Sequence, residues 1–138
     1  PYTIKGMDFT FSGIQTKLEQ LARTKKHKIE DLCYSTQETV FAILTEATER
    51  AISQIDKKEI LLTGGVAANK RLTEMLRTMA KARGCKFAVV PFPLACDNGA
   101  MIAWQGYVKH KANGPQNIEN TQPIQGWRTD DVDVTWLQ

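Results

Sequence analysis

The residues best placed to bind a ligand lie in the segment LLTGGVAANKRLTEML, residues 61–76. Gly64 and Gly65 follow an apolar run, and a glycine lets a ligand approach the backbone because it carries no Cβ atom. Asn69 adds an amide that can both donate and accept hydrogen bonds, which suits a ribose or acyl hydroxyl. Neither GxxxxGK(S/T) nor GxGxxG, two glycine-rich phosphate-binding signatures, is present. The spacing therefore leaves two interpretations open, a nucleotide site and a plain strand-to-helix turn.

Asp97, in the segment CDNGAMIAW, is a second candidate. A carboxylate can bind a divalent cation, but a metal site normally needs three or four protein ligands. Aspartate is also a favoured N-cap residue, so a structural role at the start of a helix stays open. His27 and His110 belong to no HxxxH or HExxH pattern, and we expect both at the surface. The residues alone define no nucleophile and no complete metal site.

Three predicted elements position the glycine pair. Residues 59–65 form a short apolar strand, as expected for a central strand of a parallel sheet, and residues 86–90 form a second strand. The helix 66–83 between them has Gly84 well placed as its C-terminal cap. Strand–helix–strand order implies a right-handed parallel crossover, and ligands of such sheets bind beyond the carboxyl ends of the strands. The unpaired N–H groups and the dipole of the helix would favour a negatively charged ligand there.

The remaining sequence predicts further elements around this unit. Residues 7–12 alternate as a half-buried strand that ends at Gly13, and the apolar stripe from Ile29 to Ile55 predicts a long helix packed across a sheet. The prolines in residues 91–96 predict an extended connection. The other predicted segments are a helix over 14–22, a polar linker over 23–28, a helix from Asp97 to His110 that packs through Met101, Ile102 and Trp104, and a loop-rich tail over 111–138 with a short strand at 132–137.

The length and composition indicate a single domain over residues 1–138, and its predicted strands and helices make it an α/β domain. No apolar run approaches the roughly 18 residues of a transmembrane helix and no secretory leader is recognisable, so we expect no membrane association. The chain opens on Pro1, which suggests a piece of a longer protein. Without CxxC spacing, the three cysteines are expected to be reduced core residues in an intracellular setting: Cys33, Cys85 and Cys96.

Positive charge is concentrated in residues 66–86, where six lysines and arginines accompany a single acidic residue, Glu74. The whole chain has a formal net charge of +3. One interpretation of this basic segment is a solvated helix face. The other is electrostatic attraction to RNA or phosphate, which would weaken as the salt concentration rises.

Four motifs together resemble one family. In the same order, they are similar to motifs in the C-terminal part of the universal tRNA threonylcarbamoyltransferase: KGMDFTFSG (5–13), LLTGGVAANKRL (61–72), CDNGAMIA (96–103) and RTDDVDVTW (128–136). That enzyme is the catalytic subunit of the KEOPS assembly, formerly described as an O-sialoglycoprotein endopeptidase. The first and last motifs resemble its archaeal and eukaryotic cytosolic branch. The resemblance implies an α/β fold that is an incomplete second lobe of an actin-like ATPase (ASKHA) fold, with a short, partly parallel sheet packed by helices.

The resemblance also implies a reaction, the transfer of threonylcarbamoyl from its adenylate to N6 of adenosine 37 in tRNAs that read ANN codons. Asn69 matches the asparagine of the family's GGVAxN motif, which contacts ATP or the acyl-adenylate. Gly64 and Gly65 match the glycines that admit this ligand, and Asp97 matches a ligand of the divalent active-site metal, iron or zinc. The HxxxH pair of that metal site belongs to the first lobe. We therefore expect the isolated chain to bind metal weakly and to be inactive.

The expected partners are tRNA, the missing N-terminal lobe, and the kinase-like and small dimerising KEOPS subunits. The implied location is the cytoplasm, with the nucleus as a second compartment. Two alternative functions stay open. One is a non-catalytic docking lobe that binds the kinase-like subunit. The other is a metalloprotease, which the sequence disfavours because it offers no HExxH helix and no general base beside a metal.

Overall fold

The computed structural model describes residues 4–96, 98–128 and 131–137, which form an α/β arrangement. The chain separates into two compact units, Pro1–Cys96 and Asp97–Gln138. The elements of the first unit are β1 (Ile4–Lys5), β2 (Asp8–Phe9), α1 (Ser12–Thr24), α2 (Ile29–Gln54), β3 (Glu59–Leu62), a 3₁₀ turn (Gly65–Ala68), α3 (Lys70–Ala82), β4 (Lys86–Val89) and α4 (Phe92–Ala95). The second unit contains α5 (Gly99–Asn113) and a 3₁₀ turn (Ile118–Thr121).

Residues 4–9 form a small hairpin, rather than the single strand predicted over 7–12. β1 and β2 pair antiparallel, and Gly6 takes a φ of 65° in the turn between them, a conformation that glycine adopts readily. α1 then begins at Ser12, so Gly13 lies in its first turn instead of ending a strand. The helix predicted over 14–22 is confirmed and is longer at both ends.

α2 is the long helix that the apolar stripe predicts, and it packs against α1 and α3. Its first turn carries Glu30 and Asp31, whose negative charges are favoured at a helix N-terminus. The expected burial of Ile29 and Cys33 is wrong, because both are exposed. α1 and α3 cover a different face, and its buried residues are Leu32, Phe41, Ile43, Ala47 and Ile52.

β3 and β4 form a parallel two-stranded sheet in the described part of the chain, as the strand–helix–strand order predicts. One face of this sheet packs through Ile60, Leu62 and Phe87 against the main apolar cluster of α2 and α3, which consists of Phe41, Ile52, Leu72, Leu76 and Met79. On the other face Leu61 is 67% exposed. The expectation of a central strand buried on both faces is therefore wrong for the described residues, because helices cover only one face.

The C-terminal end of α3 confirms the predicted role of Gly84, which has a φ of 66°. Its N–H donates to the carbonyl of Lys81 at 3.2 Å, and the N–H of Cys85 donates to the carbonyl of Ala80 at 2.8 Å. These two bonds make a Schellman motif and satisfy carbonyls that the helix leaves without partners. The glycine thus turns the chain from α3 into β4.

Residues Phe92–Ala95 form the short helix α4, so the expected extended connection is wrong. Pro93 lies in the first turn of α4, where a missing N–H donor costs nothing because that N–H would have no partner in the helix. α4 packs beside the 3₁₀ turn Gly65–Ala68. It therefore neighbours the segment that carries the glycine pair.

In the second unit, α5 begins one residue after Asn98 and ends at Asn113, so the loop-rich tail begins at Gly114 rather than at residue 111. The predicted packing residues of α5 are all exposed: Met101, Ile102 and Trp104. Trp104 instead contacts the ring of Tyr107, with centroids 5.6 Å apart. Residues 131–137 contain no strand, so that prediction is wrong for the part of 132–137 that the structure describes.

The cysteines are free thiols, and their expected burial is wrong for two of them. Cys33 and Cys96 are exposed, whereas Cys85 is half-buried against the main apolar cluster. No helix formed by the described residues is long and apolar enough to cross a membrane.

Candidate ligand-binding turn

The glycine pair lies between β3 and α3, and its first member has a backbone conformation that requires glycine. Gly64 has φ 95° and ψ 167°, a region that a side chain disfavours strongly. Its carbonyl accepts a hydrogen bond from the N–H of Ala67 at 3.0 Å, which closes the 3₁₀ turn. The N–H of Asn69 then donates to the carbonyl of Val66 at 3.0 Å. The local sequence thus folds as strand, 3₁₀ turn and helix, and not as the continuous helix from residue 66 that the sequence predicts.

The backbone of both glycines faces open space. A Cβ atom built on Gly64 or Gly65 would meet no other atom within 4 Å. Gly65 is exposed, while Gly64 is half-buried. The turn therefore leaves room for a molecule to approach the main chain, a condition that a ligand-binding role requires and that other glycines, such as Gly84 and Gly99, also meet. The same geometry also suits an ordinary tight turn, so the ligand-binding role of the pair remains a prediction.

Asn69 is the N-cap of α3 and does not lie in its first turn. Its Oδ1 atom accepts hydrogen bonds from the backbone N–H groups of Arg71 at 2.9 Å and Leu72 at 3.3 Å. Its Nδ2 atom donates to Oε1 of Gln37 on α2, at 3.4 Å. An amide has two acceptor sites and two N–H donors. One N–H of Asn69 is therefore left without a protein partner among the described residues, and the expected capacity to accept from a ribose hydroxyl is already used.

Arg71 fastens the start of α3 to α2. Its Nε and Nη2 atoms donate to the two carboxylate oxygens of Glu38, both at 2.7 Å, in the paired geometry of a strong charge-assisted contact. Its Nη1 atom donates to Glu74 at 3.1 Å. The hydrogen bond from Arg71 lowers the pKa of Glu38 below its ordinary value of 4.5, and the two carboxylates raise the pKa of Arg71. Arg71 is consequently a structural cation whose donors are directed to protein carboxylates.

Three further basic residues of this segment also contact protein groups. Arg83 pairs with Glu49, Lys86 pairs with Glu59 at 2.9 Å, and Arg77 lies 5.7 Å from the centre of the Phe87 ring. These contacts favour the solvated-face interpretation for much of residues 66–86. Lys70 and Lys81 are exposed. Contact of this segment with RNA remains a prediction.

Asp97 lies outside the described residues, so its predicted role as a metal ligand remains a prediction. The N-cap of α5 is Asn98 and the helix begins at Gly99, so the predicted helix start at residue 97 is wrong: Oδ1 of Asn98 accepts the hydrogen bonds from the N–H groups of Ala100 at 3.0 Å and Met101 at 3.3 Å. Asn98 is the better cap here because it stands directly before the first helical residue.

The described residues assemble no group of three or more histidines, cysteines, aspartates and glutamates that could hold a metal ion. His27 and His110 are both exposed, as predicted. The described part of the chain therefore does not fit a complete iron or zinc site.

Two residues of the site are not signalled by the sequence. Gln37 and Glu38 lie 32 and 33 residues before the partners that they bind, Asn69 and Arg71. A polar pair on the surface of an amphipathic helix is ordinarily a solvated face. No local spacing rule identifies such long-range partners.

A groove of about 410 Å³ lies between α1 and α2, and neither glycine nor Asn69 lines it. Its walls combine apolar and polar side chains: Ile14, Lys17, Leu18, Leu21, His27, Asp31, Leu32, Ser35, Thr36 and Thr39. The sequence does not predict this groove.

The parallel β3–α3–β4 unit, with a glycine turn at the carboxyl end of β3, is an α/β arrangement, and α/β proteins commonly bind ligands at this position beside a helix start. The model of the TsaD family, tRNA N6-adenosine threonylcarbamoyltransferase, matches residues 1–104. The chain belongs to this family, which confirms the family resemblance of its motifs.

Three relatives show the extent of the similarity. The chain is 54% identical over 136 residues to the tRNA N6-adenosine threonylcarbamoyltransferase of Thermococcus sibiricus, and the match covers 99% of this chain and 42% of that protein. The corresponding protein of Thermococcus kodakarensis is 52% identical with the same coverage. The probable bifunctional tRNA threonylcarbamoyladenosine biosynthesis protein of Methanobrevibacter smithii is 49% identical over 138 residues, 99% of this chain and 25% of that protein. The chain thus spans less than half the length of these relatives.

Proposed function

We propose that this chain is part of a tRNA N6-adenosine threonylcarbamoyltransferase. The observation that carries the proposal is the open Gly64–Gly65 turn followed by Asn69, in a chain half identical to proteins of that name. Gly64 and Gly65 admit the acyl-adenylate, or ATP, to the backbone. Asn69 donates its remaining N–H to an acceptor oxygen of that ligand.

The proposed reaction is a group transfer for which the turn supplies positioning. The N6 amine of adenosine 37 attacks the carbamoyl carbon of threonylcarbamoyl-adenylate, a C–N bond forms and the C–O bond to the phosphate breaks. AMP leaves with the bonding electrons, and the amine loses a proton. Holding the adenylate in one orientation beside the tRNA amine lowers the entropic cost of this step. A hydrogen bond from Asn69 to the adenylate would contribute to that orientation.

The fold proposed for the parent protein is the actin-like ATPase fold, with this chain in its second lobe. The parallel β3–β4 sheet supports this, because Leu61 on its uncovered face and the small number of strands are unusual for a parallel sheet that is complete. Asp97 is proposed as one ligand of a divalent iron or zinc ion whose other ligands come from the first lobe. tRNA and the kinase-like and small dimerising KEOPS subunits are the proposed partners, in the cytoplasm and also in the nucleus.

The direct test is product formation by the full-length protein that contains this chain. The protein is mixed with its partner subunits, threonylcarbamoyl-adenylate and a tRNA that reads ANN codons, and N6-threonylcarbamoyladenosine is measured by mass spectrometry of the digested tRNA. Asn69→Ser keeps a capping oxygen for α3 and removes the amide donor. We expect folding to be retained and product formation to fall about ten-fold, the effect of one lost hydrogen bond of about 1.4 kcal/mol.

Asn69→Ala is the matched comparison, because it removes the cap and the donor together. If Ser and Ala at this position reduce stability equally and neither alters product formation, Asn69 is only structural. If the unaltered full-length protein forms no product, the proposed function is wrong.

A second candidate function is the docking lobe, and the exposed apolar side chains of α5 favour it. Ile102 is 74% exposed and Trp104 is 65% exposed, as is common in residues that a partner covers. The proposed occupant is the kinase-like subunit. A pull-down with that subunit separates the two functions, since binding by a protein that never forms product supports docking alone.

A further inference from the structure

The contacts between α2 and the start of α3 indicate that α2 helps to position the proposed ligand-binding turn. Gln37 and Glu38 are consecutive residues of α2, and they bind Asn69 and Arg71, which stand two positions apart at the start of α3. The two pairs therefore hold one short segment from one side. We call Gln37, Glu38 and Arg71 the α2 clamp.

The N-cap hydrogen bonds and Gln37 together fix the direction of the Asn69 amide. Oδ1 is held by two backbone N–H groups of α3, and Nδ2 is held by Oε1 of Gln37. A rotation of the Asn69 amide by 180° would place Nδ2 against the backbone N–H donors of α3, which is repulsive, and would require the side-chain amide of Gln37 to rotate as well. One N–H of Nδ2 is consequently the group that Asn69 can present to a ligand.

The clamp is itself supported by the core. Phe41, one turn after Gln37 and Glu38, is buried in the main apolar cluster with Leu72 and Leu76 of α3. Only 24% of the Glu38 side chain is exposed, and its two oxygens accept from two different nitrogens of Arg71. A side chain held at both carboxylate oxygens has little rotational freedom, so the distance between the two helices at this point is well defined.

We propose that Gln37 and Glu38 are positioning residues for the nucleotide site, and that they select an acceptor atom on the ligand. Glu38 sets the start of α3 through Arg71, and Gln37 sets the amide of Asn69. The ligand then needs an oxygen acceptor at this point, such as a phosphate, carbonyl or ribose oxygen. A group that only donates hydrogen bonds would meet the remaining N–H and be rejected. This inference rests on the proposed function, because it assigns a role within the same site.

The test measures the affinity of the full-length protein for a non-hydrolysable threonylcarbamoyl-adenylate analogue by calorimetry, together with the melting temperature. Gln37→Leu removes the acceptor that holds Asn69 and keeps a similar volume. We expect the dissociation constant to rise about ten-fold with a change of no more than a few degrees in melting temperature. Glu38→Gln weakens the paired contact with Arg71, and we expect a rise of about three-fold or more in the dissociation constant.

A double-mutant cycle distinguishes positioning from simple stabilisation. If Gln37 acts through the Asn69 amide, Gln37→Leu has no further effect on affinity in a protein that already carries Asn69→Ser. Glu49→Gln is the matched control, because Glu49 joins α2 to α3 through Arg83 at the opposite end of α3. The control is expected to leave the dissociation constant unchanged.

Each outcome decides the inference. A weaker affinity in Gln37→Leu and Glu38→Gln, with no change in Glu49→Gln, supports it. Unchanged affinity in the first two variants, or an equal loss in all three, overturns it while the proposed function stands. Full additivity of Gln37→Leu and Asn69→Ser also overturns it. If the unaltered protein does not bind the analogue, the proposed function fails and the positioning role fails with it.

Discussion

Asn69 combines a structural role and a proposed binding role in a single amide. Its oxygen caps α3, and one of its two N–H groups is held by Gln37. The sequence identified Asn69 as a candidate because its amide can donate and accept hydrogen bonds and because it matches the asparagine of the family's GGVAxN motif. The sequence did not identify Gln37 as the partner of Asn69, because the two residues are 32 positions apart and no local spacing rule connects them. The structure thus shows that the Asn69 amide can offer a ligand one N–H donor, because its oxygen and its other N–H already have protein partners.

The two glycines are expected to respond differently to alanine. Gly64→Ala places a side chain at φ 95°, so we expect the free energy of unfolding to fall by about 1–3 kcal/mol. Gly65→Ala meets open space, so we expect a change in stability of no more than about 0.5 kcal/mol. Urea denaturation of the chain measures both. If Gly65→Ala also leaves analogue binding by the full-length protein unchanged, no ligand approaches that glycine.

The Glu38–Arg71 pair is expected to make stability depend on acid. The folded state lowers the pKa of Glu38 below 4.5, so the contribution of the pair is present above that pH and is lost as the pH falls through the lowered value. The difference in melting temperature between the natural chain and Glu38→Gln should therefore be largest near pH 7 and shrink towards pH 3. A difference that stays constant with pH would show that the carboxylate charge is not responsible.

At the scale of the elements, the sequence predicted the kinds of element better than their ends. The apolar stripe of α2 and the strand–helix–strand order of β3, α3 and β4 correspond to features of the structure, because hydrophobic period and connection length determine them locally. The ends depend on caps. Asn69 and Asn98 each cap a helix, which moved both helix starts away from the predicted residues.

The cap of α5 can be tested by itself. Asn98→Ala removes the oxygen that accepts from Ala100 and Met101, so we expect the free energy of unfolding to fall by about 1 kcal/mol in urea denaturation of the chain. Asn117→Ala is the matched control, since Asn117 makes no side-chain capping hydrogen bond to the 3₁₀ turn that follows it. Equal effects of the two substitutions would argue against the cap.

At the scale of the whole molecule, both units leave large apolar side chains exposed to solvent. The exposed apolar side chains include Leu61 on the sheet and Ile102 and Trp104 on α5. Sequence periodicity could not reveal this exposure, because a pattern shows which residues are apolar and not what covers them. The relatives are more than twice as long as the matched region, so further polypeptide is available in them to cover these side chains.

The exposed apolar surface predicts the behaviour of the chain in isolation. We expect the 138-residue chain to bind a hydrophobic fluorescent dye and to self-associate as its concentration rises, because both processes remove exposed apolar side chains from water. The full-length protein should bind several-fold less dye per mole. Light scattering and dye titration measure the two effects. A monomeric chain that binds no dye would show that the exposed side chains need no cover.

The central claim, that the turn at residues 64–69 holds an acyl-adenylate, is tested most directly by one comparison of affinities. The dissociation constant of the non-hydrolysable threonylcarbamoyl-adenylate analogue is measured by calorimetry for the full-length protein and for its Asn69→Ser variant, with folding checked by circular dichroism. The account predicts saturable binding by the natural protein and about ten-fold weaker binding by the variant, at equal helix content. Equal affinity of the two proteins for the analogue would contradict it.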